Sequence, residues 1–508
     1  MHTFEPSDSP SEPQDNSTPW YKELNRYHWF VLVVSALGWL FDCLDQQLFI
    51  LARPAAMRDL VQAVDGMDAK ALDLARSNAG NYATSIFIAG WATGGLVFGM
   101  LGDRIGRAKT MLITILLYSG FTGLSALSKT WIDFSIYRFL TGLGVGGEFA
   151  VGVALVAEVM PTRARPYCLS LLQALSAFGN ISAAFINLGL GIAEEEGLVT
   201  SPWRLMFLIG ALPALLALLI RRRLKEPEAW TKAKAEQVAA GTKPMGSYSE
   251  LFRDPRWRKH ALLGLVLGCS GVIGLWSVGF FAPDLIRSVQ KKEVTAKVFD
   301  EQLAAAKSAG DDARIALIEE VKAAAADPQK QLSDAAKEVK TKVDSTINGR
   351  LSRWASYTSI AINCGAFLGM FGFGALSQRI GRKPTFVIAL LAAFASTVSV
   401  FWFLQDFWQI WVMVPVMGFC QLSLFAGYAI YFPELFPTRL RTTGTSFCYN
   451  VGRFIAALGP IVKGMLEKAF AQTPEPLRYA GVTMCVVFLV GLCVLPFLPE
   501  TRGKPLPE

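Results

Sequence analysis

The chain has 508 residues, of which 52% are hydrophobic and only 18% charged, and its formal net charge is +8. Soluble proteins of this size usually carry about a quarter charged residues, so the composition disfavours a water-soluble fold. The eight cysteines show no metal-ligand spacing and mostly lie in apolar runs. We interpret them as packing residues and predict no bound metal.

Apolar runs dominate the chain after residues 1–28, a tail rich in Ser, Pro and acidic residues that we expect not to be a cleavable signal. The runs are about twenty residues long, the length that crosses a bilayer. Because lipid offers the backbone no hydrogen-bond partner, each run is predicted to be a helix. Twelve runs are predicted, at 29–51, 79–101, 110–127, 132–157, 168–193, 203–220, 261–286, 354–377, 384–404, 408–432, 443–466 and 479–498.

The basic residues lie mainly in one set of loops. The densest basic segment is 221–259, between runs six and seven, and the short loops after runs two, four, eight and ten are also basic. The loops after runs five and nine carry almost no basic residues. The positive-inside rule therefore places the basic loops and both termini in the cytoplasm. We interpret the net charge as a sign of topology in a cell membrane (the inner membrane, if bacterial), and we predict no nucleic-acid partner.

Residues 287–353 form an unusually long segment between runs seven and eight, on the outer side in this topology. The segment is rich in Ala, Lys, Glu and Asp, which favours helix, but it has few large apolar residues. We predict two or three helices that form an external hairpin or cap with little core of its own. This insert could bind an unknown partner, present substrate or cover the entrance, and the sequence does not discriminate among these three roles.

The two halves of the chain repeat at two places. GMLGDRIGRAK at 99–109 matches GALSQRIGRK at 374–383, and EVMPTRAR at 158–165 matches ELFPTRLR at 434–441. The offsets are 275 and 276 residues, so both matches share one register. A duplicated helical unit is therefore predicted.

The repeat and the basic segment together divide the chain. We predict an all-α integral membrane protein with twelve transmembrane helices in two six-helix bundles. The predicted parts are a cytoplasmic tail at 1–28, the first bundle at 29–220, a cytoplasmic loop at 221–259, the second bundle at 260–498 with its insert at 287–353, and a cytoplasmic tail at 499–508.

Several of these motifs resemble the major facilitator superfamily. The 99–109 loop is similar to its signature loop, RFLTGLGVGGE at 138–148 to its helix-four motif, and PETRG at 499–503 to the ending of its sugar and metabolite symporters. Asp42 and Asp45 of helix one, together with GGE at 146–148 of helix four, look most like metabolite:proton symporters for sialate, aromatic acids and other organic acids. EPEAW at 226–230 departs from the sugar-porter pattern. The resemblance implies a central site and rocking-type alternating access.

The resemblance also implies that the repeated loops act as a conformational latch between the halves. Glycines let the helices approach closely, and the acids and arginines can form charge-assisted bonds across the helix ends. We expect the first copy to be the stronger latch, because the second has Gln378 in place of Asp103. The latch residues are predicted to be Gly99, Asp103, Arg104, Gly106, Arg107, Glu158, Arg163, Arg379, Gly381, Arg382, Glu434 and Arg439.

Ionisable residues within the apolar runs are candidates for proton coupling, because each is costly in lipid unless paired or hydrated. Asp42 and Asp45 lie three residues apart on one face of helix one, and Arg138 lies at a similar depth in helix four. We predict a carboxylate–arginine cluster of these three residues, with a static salt bridge as the alternative. Glu148 is a further candidate, either for carrying a proton or for a structural pair.

Arg453, in the middle of the eleventh run, is the best candidate to hold a substrate carboxylate, because a buried guanidinium can form a bidentate pair. Its alternative role is to pair inside the protein. Other polar residues in the runs could line a central site, and the complete predicted set is Gln46, Asn180, Asn363, Gln421, Tyr428, Tyr449 and Arg453.

The leading functional hypothesis is proton-coupled uptake of a small organic anion. A neutral sugar symporter, an exporter of the same superfamily and a transporter-like membrane sensor remain alternatives. No constellation for covalent catalysis and no Walker loop is present, so we expect no enzyme activity and no cofactor. A proton gradient would supply the energy, the partners would be a small-molecule substrate and the lipid bilayer, and the functional unit would be a monomer.

Overall fold

A computed structural model describes residues 19–63, 69–195, 199, 201–213, 224–239, 246–277, 282–326 and 332–459. Toward the end of the chain it describes 462, 465–466, 469–470, 472–473 and 475–507. The described regular structure is helical throughout. The helices before residue 254 are α1 Arg26–Leu60, α2 Ala69–Ile105, α3 Arg107–Ser125, α4 Trp131–Val159, α5 Arg165–Glu195, α6 Pro202–Ile209, α7 Glu228–Ala239 and α8 Tyr248–Arg253.

The remaining helices form the second half and the insert. They are α9 Pro255–Ser277, α10 Ala282–Ala309, α11 Asp312–Ala326, α12 Asp334–Ile380, α13 Arg382–Phe403, α14 Phe407–Glu434, α15 Arg441–Ala456, α16 Pro476–Met484 and α17 Val487–Val494. Among the described residues, nine helices are long and apolar enough to cross a membrane. The predicted sixth and eleventh runs fall partly on 214–220 and on 460, 461, 463 and 464, which lie outside the described residues.

A glycine stands at equivalent positions of the two halves where helices pack backbone to backbone. A Cβ at Gly94 of α2 would overlap the Leu143 carbonyl of α4, and one at Gly369 of α12 would overlap the Phe419 carbonyl of α14. These two glycines are 275 residues apart, the same offset as the loop motif. The close α2–α4 and α12–α14 packing is therefore the three-dimensional counterpart of the sequence repeat.

The loop motif makes the same sharp joint in both halves. Gly106 separates α2 from α3 with a φ of 113°, and Gly381 separates α12 from α13 with a φ of 100°. Residues with a Cβ rarely adopt this conformation, so the joint requires glycine. We call the end of the bundle at which both joints lie the motif side.

The two halves meet along two pairs of helices. α2 of the first half packs on α15 of the second, and α5 packs on α12. At the end away from the motif side, polar side chains join the halves: Gln47 donates to Ser359 at 2.9 Å, and Asn187 donates to Ser356 at 3.0 Å. A central site between these pairs is thus lined by both halves of one chain.

The insert differs from the prediction at both of its ends. α10 already begins at Ala282, and α12 runs without a break through residue 353 into the predicted eighth run. The insert also has a core of its own, contrary to the expectation of little core. Val298 and Phe299 of α10, Ile318 of α11 and Val343 of α12 are buried together in it. A few large apolar residues suffice to form this core because three helices each contribute residues to it.

Candidate functional site

Asp45 of α1 and Arg138 of α4 form a buried ion pair in the first half. One terminal nitrogen of Arg138 lies 3.3 Å from each Asp45 carboxylate oxygen. The hydroxyls of Ser125 and Thr141 accept hydrogen bonds from the other nitrogens, and the Phe207 ring lies 4.7 Å from the guanidinium carbon. Every nitrogen of the guanidinium has a partner. Of the two predicted alternatives, this geometry therefore favours the static salt bridge.

Removing one charge of this pair should harm the protein more than removing both. Asp45→Asn leaves Arg138 buried without its counter-charge, a change that typically costs about 3–5 kcal/mol. The double variant Asp45→Asn with Arg138→Met restores neutrality. We therefore expect the double variant to melt at a higher temperature than Asp45→Asn alone, as measured by thermal unfolding in detergent. Additive destabilisation by the two changes would contradict this coupling.

Asp42 does not join this pair, so the predicted three-residue cluster is wrong in this respect. Its carboxyl group faces Glu148 of α4, and the Tyr118 hydroxyl of α3 lies beside it. The positions of the two aspartates along α1 explain why their partners differ. Asp42 precedes Asp45 by almost one helical turn, so it lies at the level of Glu148 and not at the level of Arg138. Both carboxyl groups are fully buried, and neither has a basic partner among the described residues.

Gly38 makes room for the carboxylate pair. A Cβ at this position of α1 would overlap the Glu148 carboxylate. The side chain of Glu148 therefore lies directly against the α1 backbone, one turn from Asp42. The two acids are held close together by the packing of α1 on α4.

Arg453 of α15 lies fully buried between two aromatic rings. Its guanidinium carbon is 4.3 Å from the Trp91 ring of α2 and 4.4 Å from the Tyr449 ring. One terminal nitrogen donates to the Tyr449 carbonyl and to the Asn450 side chain, at 2.8 and 2.7 Å. The Nε atom has no hydrogen-bond partner, and no acidic side chain is among the groups that act on Arg453 in the described residues. An unpaired, desolvated guanidinium is suited to bind an anion.

Tyr449 extends this arrangement across both halves. Its ring stacks on Phe149 of α4 with centroids 4.2 Å apart, and Phe149 in turn lies 4.4 Å from Trp39 of α1. Phe149 directly follows Glu148, so the stack joins the arginine site to the carboxylate pair. The aromatic residues of this stack other than Tyr449 were not predicted from the sequence, since their helix rotations are visible only in three dimensions.

The other predicted lining residues lie in several places. Asn180 of α5 donates to Asn363 of α12 at 2.8 Å, so this pair joins the halves. The Tyr428 hydroxyl donates to the Leu267 carbonyl at 2.9 Å and is occupied by packing. Gln421 bonds Thr397 inside the second half, and Gln46 is buried beside Asp45. Of the predicted set, the aromatic contacts bring together Tyr428, Tyr449 and Arg453.

Arg107 is the centre of a buried charge network on the motif side. Its Nη2 atom lies 3.0 Å from Asp103 and 2.9 Å from Glu158. Asp103 also accepts the backbone N–H and the hydroxyl of Thr443, at 2.9 and 2.6 Å. Because Thr443 lies in the first turn of α15, an acid of the first half caps a helix of the second. Arg441, which the prediction omitted, donates to Glu158 at 3.2 Å and is a second link between the halves.

The second copy of the motif forms the equivalent ion pair within its own half. Arg382 lies 3.0 Å from Glu434, and Arg107 lies 2.9 Å from Glu158. Arg104 and Arg379 are exposed. Gly99 allows Ser446 of α15 to approach α2 closely. The two remaining latch residues contact the segments that precede each half: Arg163 pairs with Glu23 at 2.9 Å, and Arg439 with Glu250 at 2.6 Å.

Helices α3 and α13 are capped at both ends by charged residues that the prediction missed. Glu226 accepts the first backbone N–H groups of α3, and Glu500 those of α13. At the other end, Arg204 donates to carbonyls at the end of α3, and Arg478 to those at the end of α13. Acid at the N-terminus and base at the C-terminus both stabilise the helix dipole. The two arginine caps could have been recognised in the sequence from the similar segments PWR at 202–204 and PLR at 476–478.

The Glu500 cap should make stability depend on pH. Burial alone would raise the pKa of Glu500, but the N–H groups of Arg382, Lys383, Arg502 and Thr501 together hold it below its usual value. A depressed pKa stabilises the fold above the unfolded value of about 4.3 and loses this contribution as pH falls through the folded value. We expect Glu500→Gln to lower the melting temperature at pH 7, with the difference from wild type shrinking below about pH 4. A difference independent of pH would contradict this role.

This fold and these buried charges define a class: a multi-pass membrane transporter made of two related halves. The family model described as Major Facilitator Superfamily matches residues 35–296 and 348–508. The chain belongs to the major facilitator superfamily. The unmatched residues between these ranges lie in the insert, which is thus an addition to the common fold.

Curated relatives and solved structures agree with this family. The cis,cis-muconate transport protein of Acinetobacter baylyi is 26% identical over 83% of this chain and 85% of its own length. The sialic acid transporter NanX of Escherichia coli is 25% identical over 88% of this chain and 89% of its own length. The structure of the proton:xylose symporter XylE superposes with a TM-score of 0.68 at 18% identity, over 94% of this chain and 98% of that one.

Proposed function

We propose that this transporter takes up a small organic anion together with protons by alternating access, with Arg453 as the carboxylate site. The observation that carries the proposal is the fully buried guanidinium of Arg453, which has no acidic partner among the described residues. Burying such a charge is expensive. A carboxylate substrate supplies the missing counter-charge, whereas a neutral sugar does not.

The Asp42–Glu148 pair is the proposed proton site. Two adjacent buried carboxylates without a cation would cost many kcal/mol if both were charged, so the pair holds at least one proton. The names of two relatives agree with an anionic cargo, because muconate and sialic acid are carboxylic acids. We also propose that the functional unit is a monomer. In the proposed orientation the motif side faces the cytoplasm, as the basic loops indicate.

Flux measurements on purified protein in proteoliposomes test this function. With an inward proton gradient, we expect accumulation of at least one of benzoate, nicotinate and cis,cis-muconate, and no accumulation of xylose. Collapse of the gradient with a protonophore should abolish accumulation. Accumulation of xylose alone would favour the sugar alternative, and ligand binding without any flux would favour the sensor.

A further inference from the structure

An exposed basic patch lies on the motif side, where α8 ends and α9 begins. Residues 253–259 contain four basic residues and one acid, which give the segment a net charge of +3. In the described part of the chain none of the four basic residues takes part in an ion pair, and the preceding acid, Glu250, is already paired with Arg439. We call these four exposed residues the basic turn: Arg253, Arg256, Arg258 and Lys259.

The stability of α9 does not account for the basic turn. The N-terminus of a helix carries a partial positive charge, so basic residues in the first turn are electrostatically unfavourable. The favourable contact at this end comes from Asp254, whose carboxylate accepts the backbone N–H of Arg256 at 2.8 Å. The cations of the basic turn therefore indicate an anion from outside the protein.

The exposed side chains of α9 change from cationic to apolar within one helical turn. Arg258 precedes Leu262 by four residues, so their side chains lie on one face of the helix. Leu262 is 47% exposed on a helix that is long and apolar enough to cross a membrane, so this face is turned to the lipid. Long side chains on a helix lean toward its N-terminus, which brings Arg258 and Lys259 to the level of the lipid headgroups.

Packing holds the first turn of α9 in a fixed position on the second half. The Nδ1 atom of His260 lies 3.1 Å from the carbonyl oxygen of Leu435, at the end of α14. A Cβ at Gly264 would lie 2.7 Å from the Cys448 sulfur, so α9 also packs closely on α15. A headgroup bound at the basic turn would therefore contact a folded part of the protein and stabilise it against unfolding.

We propose that the basic turn binds the phosphate of an anionic phospholipid, with phosphatidylglycerol as the test case, in the motif-side leaflet. A guanidinium forms two parallel hydrogen bonds with phosphate oxygens, and a lysine ammonium adds a further charged donor. Each basic residue near a membrane surface raises the affinity for anionic lipid about fivefold. In phosphatidylcholine the choline cancels the charge of the phosphate, so the basic turn prefers the anionic lipid.

Thermal unfolding of the purified full chain in a neutral detergent tests this inference. Phosphatidylglycerol, phosphatidylcholine or inorganic phosphate is added in separate titrations. We expect phosphatidylglycerol to raise the melting temperature more than phosphatidylcholine does, and the difference to shrink as salt is added. Equal stabilisation by the two lipids would overturn the proposal, and so would equal stabilisation by inorganic phosphate at the same concentration.

Paired substitutions separate lipid binding from a structural role of the basic turn. Arg258→Gln with Lys259→Gln removes two cations, so we expect the affinity for phosphatidylglycerol to fall at least tenfold. The melting temperature in phosphatidylcholine should stay the same or rise, because the removed charges oppose the helix dipole. A melting temperature that falls equally in both lipids would show a structural role and contradict the proposal.

The matched control is Lys291→Gln with Lys292→Gln. These substitutions remove two exposed lysines from α10 in the insert, and we expect the affinity for phosphatidylglycerol to stay within about twofold of wild type. An equal loss of affinity in the two paired variants would show that the lipid responds to net charge and not to the basic turn. No transported substrate is present in these titrations, so their outcome is independent of the proposed function.

Discussion

Replacing Arg453 by Gln is expected to remove high-affinity binding of the transported anion. Truncating one partner of a buried, hydrogen-bonded charge pair typically costs about 2–5 kcal/mol, which corresponds to a loss of affinity between roughly 30-fold and several thousand-fold. Arg453→Lys keeps the charge but loses the planar fork that stacks between Trp91 and Tyr449, so we expect an intermediate loss. Affinity is measured by ligand-induced thermal stabilisation of purified protein.

Arg478 provides a matched control for this experiment. It is also a buried arginine of the second half, but it donates to carbonyls at the end of α13 and pairs with Glu475. Arg478→Gln should therefore lower the melting temperature and leave anion affinity within about twofold, since its partners are all within the protein. If Arg453→Gln retained wild-type affinity, the carboxylate site would have to lie elsewhere.

Replacing Arg107 by Met is expected to have the second large effect, by opening the link between the halves on the motif side. The change leaves Asp103 and Glu158 buried, with Arg441 as the remaining base in a salt bridge with Glu158 among the described residues. Breaking a buried pair in this way typically costs about 3–5 kcal/mol. The apparent melting temperature in detergent should fall. A cysteine introduced next to Thr443 should also react faster with a water-soluble maleimide.

The matched control is Arg104→Met. Arg104 belongs to the same loop and carries the same charge, but its side chain is exposed, so we expect a change within about 0.5 kcal/mol. Equal destabilisation by the two substitutions would show that the loop acts through its net charge and not through the buried network.

The sequence predicted the helices and the duplicated unit well, because both depend on local information. The length of an apolar run predicts a membrane helix, and the common offset of the two motif pairs predicts the repeat. The Arg107–Glu158 and Arg382–Glu434 pairs join residues of the predicted latch set, and each pair lies within one half. Boundaries were less accurate where a helix continues past the apolar run, as α12 does, because charged residues and alanine extend a helix without adding hydrophobicity.

Contacts between the halves could not be predicted from the sequence. That Asp103 caps α15 depends on α2 lying against α15, an adjacency that spacing along the chain does not reveal. The division of the helix-one aspartates had a similar cause. A shared helical face placed Asp42 and Asp45 together, but a separation of almost one turn along the axis gave them different partners on α4. The unpaired state of Arg453 could be recognised only once its neighbours were known.

The unbroken course of α12 gives the protein an arm outside its membrane-spanning part. At about 1.5 Å per residue, its 47 residues extend roughly 70 Å from the motif side to the core of the insert. Because the insert packs around α12, the tip of the insert follows the rotations of the second half. The length of the arm makes the displacement of the tip larger than that of the membrane-spanning helices. A fluorophore at the exposed Ser308, near the end of α10, would therefore report rocking of the second half in real time without touching the transport site.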